Sequence, residues 1–238
     1  MKRCGQHAVV NWLGKQLDES FVLKSSFKWE NKNDNIFFSN NILGKKQIEF
    51  YEKFPEHYQT IGCKTWMYNI EDWLVEEAVE KIKQLSKFLP AFTEDNITNV
   101  VVLRDPYNLF ASRVNFWEKS TIPEVESICR FRQLWKNHAN QRFNKNTIMI
   151  YYNKWFVDKN YRTDVCRQLN IEFSDAGIND VVGFGDGSSF DFTNFNGKAN
   201  KMCVLTRYKQ ISSFESVDSE MIAICKTLFN DIPTHKIF

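Results

Sequence analysis

Residues 101–113 read VVLRDPYNLFASR: an apolar run ends in Arg104, Asp105-Pro106 follows, and Ser112 stands eight residues past the arginine. Asn99 to Leu103 is apolar enough for a strand buried on both faces, the signature of a parallel sheet flanked by helices. A helix should then start at Asp105-Pro106, because Asp is a good N-cap and Pro is tolerated at the first helical position. Arg104 at the strand's end can make a two-pronged contact to a phosphate, and Ser112 can add a hydroxyl donor from the helix. The plainer alternative is that Arg104 pairs with Asp105 or another acid and Ser112 is an ordinary helix residue.

Outward from this stretch, strands and helices alternate. The apolar spacing of Val9, Val10, Trp12, Leu13 and Leu17 predicts a helix over about 6–18. Short strands are expected at Ile36-Phe37-Phe38, at Trp66 to Ile70 with Glu71-Asp72 at its end, and at Thr147 to Tyr152. Further helices are expected near 75–88, from Pro123 to about Phe143, over Tyr161 to Leu169 and near 217–229. Gly183 to Gly197 reads as loop. This order implies one domain, an α/β fold with a three-layer open parallel sheet. Ligands of such sheets sit at the carboxyl ends of the strands, which puts the Arg3 to His7 turn, Glu71-Asp72 and Arg104 to Ser112 on one rim.

Bulk properties narrow the function. The chain has 238 residues, with 31 basic against 29 acidic side chains and a formal charge of +2. No net field draws it to nucleic acid or an anionic membrane, so any anion site must be local. No apolar stretch approaches a membrane span, and Met1-Lys2-Arg3-Cys4-Gly5 lacks the apolar core of a signal peptide, so the expected location is cytoplasmic. Six cysteines without a Cys-x-x-Cys pair fit free thiols better than a disulfide frame or a zinc site. No metal is suggested, and oligomeric state is not readable.

A second candidate cradle is Arg3-Cys4-Gly5-Gln6-His7. Backbone N–H groups at a helix start carry partial positive charge, and Arg3 would add a full one. A glycine before a helix is usually only a turn, and the Lys-Ser/Thr pair of a Walker motif is absent. Taken together, however, the two motifs offer two separated anion sites on one sheet edge.

In these residues the chain resembles the sulfotransferases that use 3′-phosphoadenosine-5′-phosphosulfate (PAPS). Arg3-Cys4-Gly5-Gln6-His7 is similar to their 5′-phosphosulfate loop, with Gln6-His7 in place of Thr-Thr; Arg104-Asp105-Pro106 with Ser112 is similar to their 3′-phosphate motif. Ile148 to Tyr152 followed by the Tyr161 to Leu169 helix resembles the family's closing strand and helix. Gly187-Ser188-Ser189, a basic loop through Lys198 and Lys201, then Leu205 and Arg207-Tyr208 resemble the tail that folds over the cofactor.

The resemblance implies a P-loop-like sulfotransferase domain over 1–238. Its parts would be the phosphosulfate loop and helix (1–18), an acceptor region (19–98), the 3′-phosphate motif and core (99–180), and a cofactor-covering loop with a closing helix (181–238). It implies PAPS as cofactor, adenosine 3′,5′-bisphosphate as product, and a small-molecule or glycan acceptor bearing a hydroxyl or amine. Cofactor contacts would come from Arg3, Cys4, Gly5, Gln6, His7, Arg104, Ser112 and Lys198. Only Met1 and Lys2 precede Arg3, so two expectations stay open: the natural protein begins earlier than this sequence, or the sheet lacks the strand that normally leads into the loop.

Sulfuryl transfer needs a base on the acceptor and donors on the leaving phosphate. Glu71 is the first candidate base, with Asp72 and Glu30 as alternatives, and the plainer reading of each is a solvated surface acid. His7 could stabilise the leaving oxygen or simply begin a helix. Lys64-Thr65-Trp66 is a faint match to a Lys-Thr-His segment of the family. Ala8 stands where an aromatic often holds adenine, and Trp12 is the possible substitute one turn later. Two other classes compete: a non-catalytic nucleotide-binding protein on the same fold, and a P-loop kinase or NTPase.

Overall fold

The computed structural model describes residues 3–17, 21–25, 65–69, 98–117, 125–140, 147–181, 187–211 and 217–229. Its elements in chain order are α1 (Gln6–Gln16), β1 (Phe21–Ser25), β2 (Thr65–Asn69), β3 (Asn99–Leu103), α2 (Pro106–Trp117), α3 (Val125–Asn140), β4 (Thr147–Tyr151), α4 (Tyr152–Val157), α5 (Lys159–Leu169) and α6 (Ser219–Leu228). Short 3₁₀ turns occupy Ala199–Lys201 and Arg207–Gln210. The expected strand at Ile36-Phe37-Phe38 and the helix near 75–88 lie outside the described residues.

The α/β character and the parallel pairing agree with expectation. The single open sheet does not: among the described residues the strands form two separate parallel pairs, β1 with β2 and β3 with β4. The β3–β4 pair is built from β-branched and large apolar residues, Asn-Val-Val-Val-Leu against Thr-Ile-Met-Ile-Tyr, which suit a pleated, partly covered surface. Strand β3 is not buried along its whole length; residues 99–101 are half-buried and only Val102 and Leu103 are fully enclosed. Parallel neighbours require a crossover, and here two helices, α2 and α3, supply it.

Local chemistry explains where the helices begin and end. Asp105 accepts from the Asn108 N–H at 2.8 Å, the N-cap to third-residue bond expected of Asp before Pro106. Asp158 caps α5 through Asn160 and Tyr161 N–H groups, and Asn170, at φ 54°, ends it in the left-handed conformation. The helix predicted from Tyr161 therefore starts two residues earlier. It is preceded by α4, which aromatic-rich Tyr152 to Val157 concealed.

The core lies where α1, α2, α3, α4 and the β3–β4 pair meet. Trp12, Trp135 and Trp155 are its largest fully buried side chains, joined by Leu103, Tyr107, Leu109, Phe131 and Ile150. Trp12 and Trp155 meet edge to face at 5.9 Å, an arrangement favoured by the ring quadrupoles. Helix α1 is fixed at its far end by polar clips. Trp12 Nε1 donates to Asp175 at 3.1 Å, and Gln16 accepts from the Ser174 and Asp175 N–H groups, both at 2.9 Å. Arg162 closes the same corner with two bonds to the Asp175 carboxylate, at 2.7 and 2.8 Å.

Candidate anion-binding site

Register places the site. Leu103 pairs with Tyr151, so Arg104 and Tyr152 leave the sheet side by side at its carboxyl end. The Arg104 guanidinium lies 5.1 Å from the centre of the Tyr152 ring, a cation–π contact in a buried setting. Its carbonyl is held by Trp135 Nε1 at 2.9 Å. Arg104 does not pair with Asp105, whose carboxylate is taken by Asn108 and Asn153. Instead, Arg104 Nη1 donates to Ser112 Oγ at 3.1 Å and to the Arg3 carbonyl at 3.4 Å, and Nη2 donates to the Val204 carbonyl. The eight-residue spacing is thus a real contact.

A second arginine meets the same hydroxyl. Arg207 Nη1 donates to Ser112 Oγ at 3.4 Å, while its Nη2 donates to Ser188 Oγ at 2.6 Å and to Asp191 at 2.9 Å. With both lone pairs of Ser112 facing guanidinium donors, its own hydrogen is left to be given away, so Ser112 acts as a donor. The 187–192 loop wraps Arg207: Phe190 lies 4.9 Å from the guanidinium, and Ser188 and Phe192 form an antiparallel bridge. Asn115 anchors the loop to α2 by donating to the Ser189 carbonyl.

The charge balance here is informative. Arg104 and Arg207 are 2% and 5% exposed, and Asp191 is the one carboxylate that bonds either of them among the described residues. Buried like charges are costly without a counter-ion. Burial, and after it the charge of Arg104, push the Arg207 guanidinium down to about 10. Burial raises the Tyr152 phenol, against the pull of both arginines. Three donors in this cluster, Arg104 Nε, Arg207 Nε and Ser189 Oγ, are buried without a hydrogen-bond partner among the described residues. Such a set suits an anion with several acceptor oxygens, such as a phosphate monoester.

The 3–7 turn stands beside this cluster, tied to it through the Arg3 carbonyl. Arg3 and Gly5 both adopt left-handed backbone, at φ 65° and 90°. Gly5 is obligatory on two counts, since a Cβ there would also fall 2.1 Å from the Tyr152 ring. No side chain caps α1 at Gly5, which leaves the helix start as a place where backbone N–H groups favour negative charge. The Arg3 guanidinium donates to the Gly187 carbonyl at 3.4 Å. Cys4 is buried, with Sγ donating to Gln6 Oε1 at 3.1 Å, so these two side chains brace the turn from inside. His7 is half-buried on the first turn of α1.

Of the residues chosen from sequence, Arg3, Cys4, Gly5, Gln6, His7, Arg104 and Ser112 come together at one corner. Lys198 does not join them: it is exposed at the start of the 199–201 turn, and no described hydrogen bond ties its side chain to the cluster. Trp12 is a core residue that donates to Asp175, which removes it as an adenine platform. Glu71, Asp72, Glu30 and Lys64 lie outside the described residues. Arg207, Ser188 and Asp191 were not singled out as ligands, although Gly187-Ser188-Ser189 and Arg207-Tyr208 carried the resemblance that could have found them.

Among the described residues no helix is long and apolar enough to cross a membrane, and no cluster of His, Cys, Asp or Glu could hold a metal ion. The five described cysteines are free thiols. Comparison with protein-family models, with curated proteins and with solved structures finds no match to this chain.

Proposed function

We propose that the chain binds a nucleotide carrying two separated phosphate groups and transfers a sulfuryl group from PAPS to a hydroxyl or amine, as a sulfotransferase. The observation that carries this reading is the convergence of buried Arg104 and Arg207 on Ser112, one hydrogen bond from the Arg3–Gly5 turn. A 3′-phosphate would take the unpartnered Nε donors and the Ser112 hydrogen. The 5′ end would lie at the start of α1.

In such a reaction the cofactor supplies an activated sulfuryl group, and the chain's work is electrostatic and positional. Arg3 and the α1 N-terminus would stabilise charge developing on the leaving phosphate oxygen, with His7 a candidate to donate there. Glu71, Asp72 or Glu30 would take the acceptor's proton as its oxygen or nitrogen attacks sulfur in line. The acceptor class, a small molecule or a glycan, belongs to the same proposal.

Calorimetric titration with adenosine 3′,5′-bisphosphate, with 5′-AMP and ATP as controls, tests it. Arg104→Ala is a poor probe, because Arg104 also holds the Arg3 and Val204 carbonyls. Ser112→Ala removes only the hydroxyl and is the cleaner variant. Binding that needs the 3′-phosphate and weakens in Ser112→Ala supports the reading. Binding of ATP in preference, with a magnesium requirement, would transfer the site to the kinase and NTPase class. Tight bisphosphate binding without sulfuryl transfer to any acceptor would identify a non-catalytic nucleotide-binding protein.

A further inference from the structure

The main chain on both sides of Arg207 is held by one side chain. Asn108 is completely buried on α2; its Nδ2 donates to the Leu205 carbonyl at 2.9 Å, and its Oδ1 accepts from the Tyr208 N–H at 3.2 Å. Asp105 decides which end of the amide faces which way. Both of its carboxylate oxygens accept from Asn108 Nδ2, at 3.1 and 3.0 Å, so the amide nitrogen must face the carboxylate and the oxygen is left for Tyr208. Asn153 holds that carboxylate in turn, donating at 2.9 Å and accepting from the Asp105 N–H at 3.3 Å.

Arg207 therefore hangs between two anchors on a single 3₁₀ turn, and the helix that carries the clamp also carries its target. Asn108 and Ser112 are four residues apart on α2, one helical turn, and so lie on the same face. A rigid helix thereby fixes both the place where the Arg207 backbone arrives and the hydroxyl that its guanidinium meets. Apolar packing alone would leave this irregular segment free to slide along α2. Two directional bonds from Asn108, to residues 205 and 208, join the Arg104 bond to the Val204 carbonyl in setting its register on either side of Arg207.

We propose that Asn108 is a positioning residue of the anion site, acting through Arg207 by clamping residues 205 and 208 to α2. The binding part of its test rests on the 3′-phosphate reading above; the structural part does not. No other residue type supplies a donor and an acceptor at this length: Asp would lose the donor and face Asp105, and Leu keeps the bulk but neither bond.

The 238-residue chain is compared as wild type, Asn108→Leu, Arg207→Gln and the double variant. Affinity for adenosine 3′,5′-bisphosphate is measured by calorimetry, and amide hydrogen exchange is followed at residues 204–209 and in β3 and β4. The expected result is about a 10-fold loss of affinity in Asn108→Leu. Exchange should quicken at 204–209 while β3 and β4 stay protected, and Asn108→Leu should have no further effect once Arg207 is Gln. A merely structural role predicts additive losses in the double variant and general loss of protection, and either overturns the proposal. If the wild type binds no bisphosphate, the phosphate reading fails by itself. The clamp then stands or falls on whether exchange at 204–209 changes. If Asn108→Leu does not fold, Asn108→Ser, smaller and still polar, is read by the same criteria.

Discussion

The turn at Arg3–Gly5 and the cluster at Arg104, Ser112 and Arg207 lie one hydrogen bond apart, yet they are made of different materials. The turn offers backbone: a helix start without a side-chain cap, left-handed residues on either side of Cys4, and one half-buried arginine whose contact to Gly187 is long. The cluster offers side chains, with two arginines removed from water and aimed at a shared hydroxyl. Backbone dipoles hold an anion loosely and tolerate change in its charge, whereas buried guanidiniums hold a fixed charge strongly. Under the proposed reaction this division is useful, since the 5′ group changes charge during transfer and the 3′-phosphate does not.

The largest effect expected from disturbing this contrast is at Gly5. Gly5→Ala must place a Cβ at φ 90° and 2.1 Å from the nearest Tyr152 ring carbon, so it should cost about 2–5 kcal/mol of stability in denaturant unfolding. Combining it with Tyr152→Ala removes the overlap and leaves the backbone term. The double variant should therefore lose less than the sum of its parts. Strict additivity would show that the turn and the ring are not in contact, and the turn would lose its link to the cluster.

Next in size is the difference between the two arginines that the turn and the cluster contribute. Arg207→Gln should weaken binding of adenosine 3′,5′-bisphosphate about 10- to 100-fold, the range for a hydrogen bond to a charged group. Arg3→Gln, at a half-exposed position, should cost about 10-fold or less. Raising salt should erode the Arg3 contribution first, because exposed charges are screened and buried ones much less so. Equal losses with equal salt dependence would erase the distinction between the two corners.

The same contrast explains what was legible in the sequence. Arg104 and Ser112 could be read because they lie on either side of one strand-to-helix junction, where Asp105 and Pro106 fix the geometry locally. Gly5 could be read for a similar reason. Arg207 could not be chosen over Lys198, because both sit in a loop without periodicity. Which cation is buried there depends on Asn108, a residue about 100 positions away in the chain that had no reason to draw notice. Helix α4 was hidden because Tyr-Asn-Lys-Trp-Phe carries aromatics that also suit a strand, and packing of Tyr152 and Trp155 into the core decided the matter. Strand β1 was passed over because a five-residue run gives too little pattern to separate from its surroundings.

The smallest predicted effect lies away from both corners and tests whether the site is local. Asp218 caps α6 by accepting from Met221 N–H at 3.0 Å and pairs with Lys136 of α3 at 2.8 Å. Its carboxyl is held below its ordinary value: burial would raise it, but the Lys136 bond and the Met221 N–H outweigh that. A depressed carboxyl stabilises the fold above its unfolded-state value near 3.8 and loses that contribution as pH falls through the lower folded-state value. Asp218→Asn keeps a capping oxygen and removes the charge, so it should cost about 0.5 kcal/mol at neutral pH. That gap from wild type should close in acid, while bisphosphate affinity at neutral pH stays unchanged. If Asp218→Asn instead weakened the nucleotide, the α3–α6 ion pair would be coupled to the arginines through Trp135, which holds the Arg104 carbonyl from α3. The two corners would then have to be treated as parts of a larger cooperative unit.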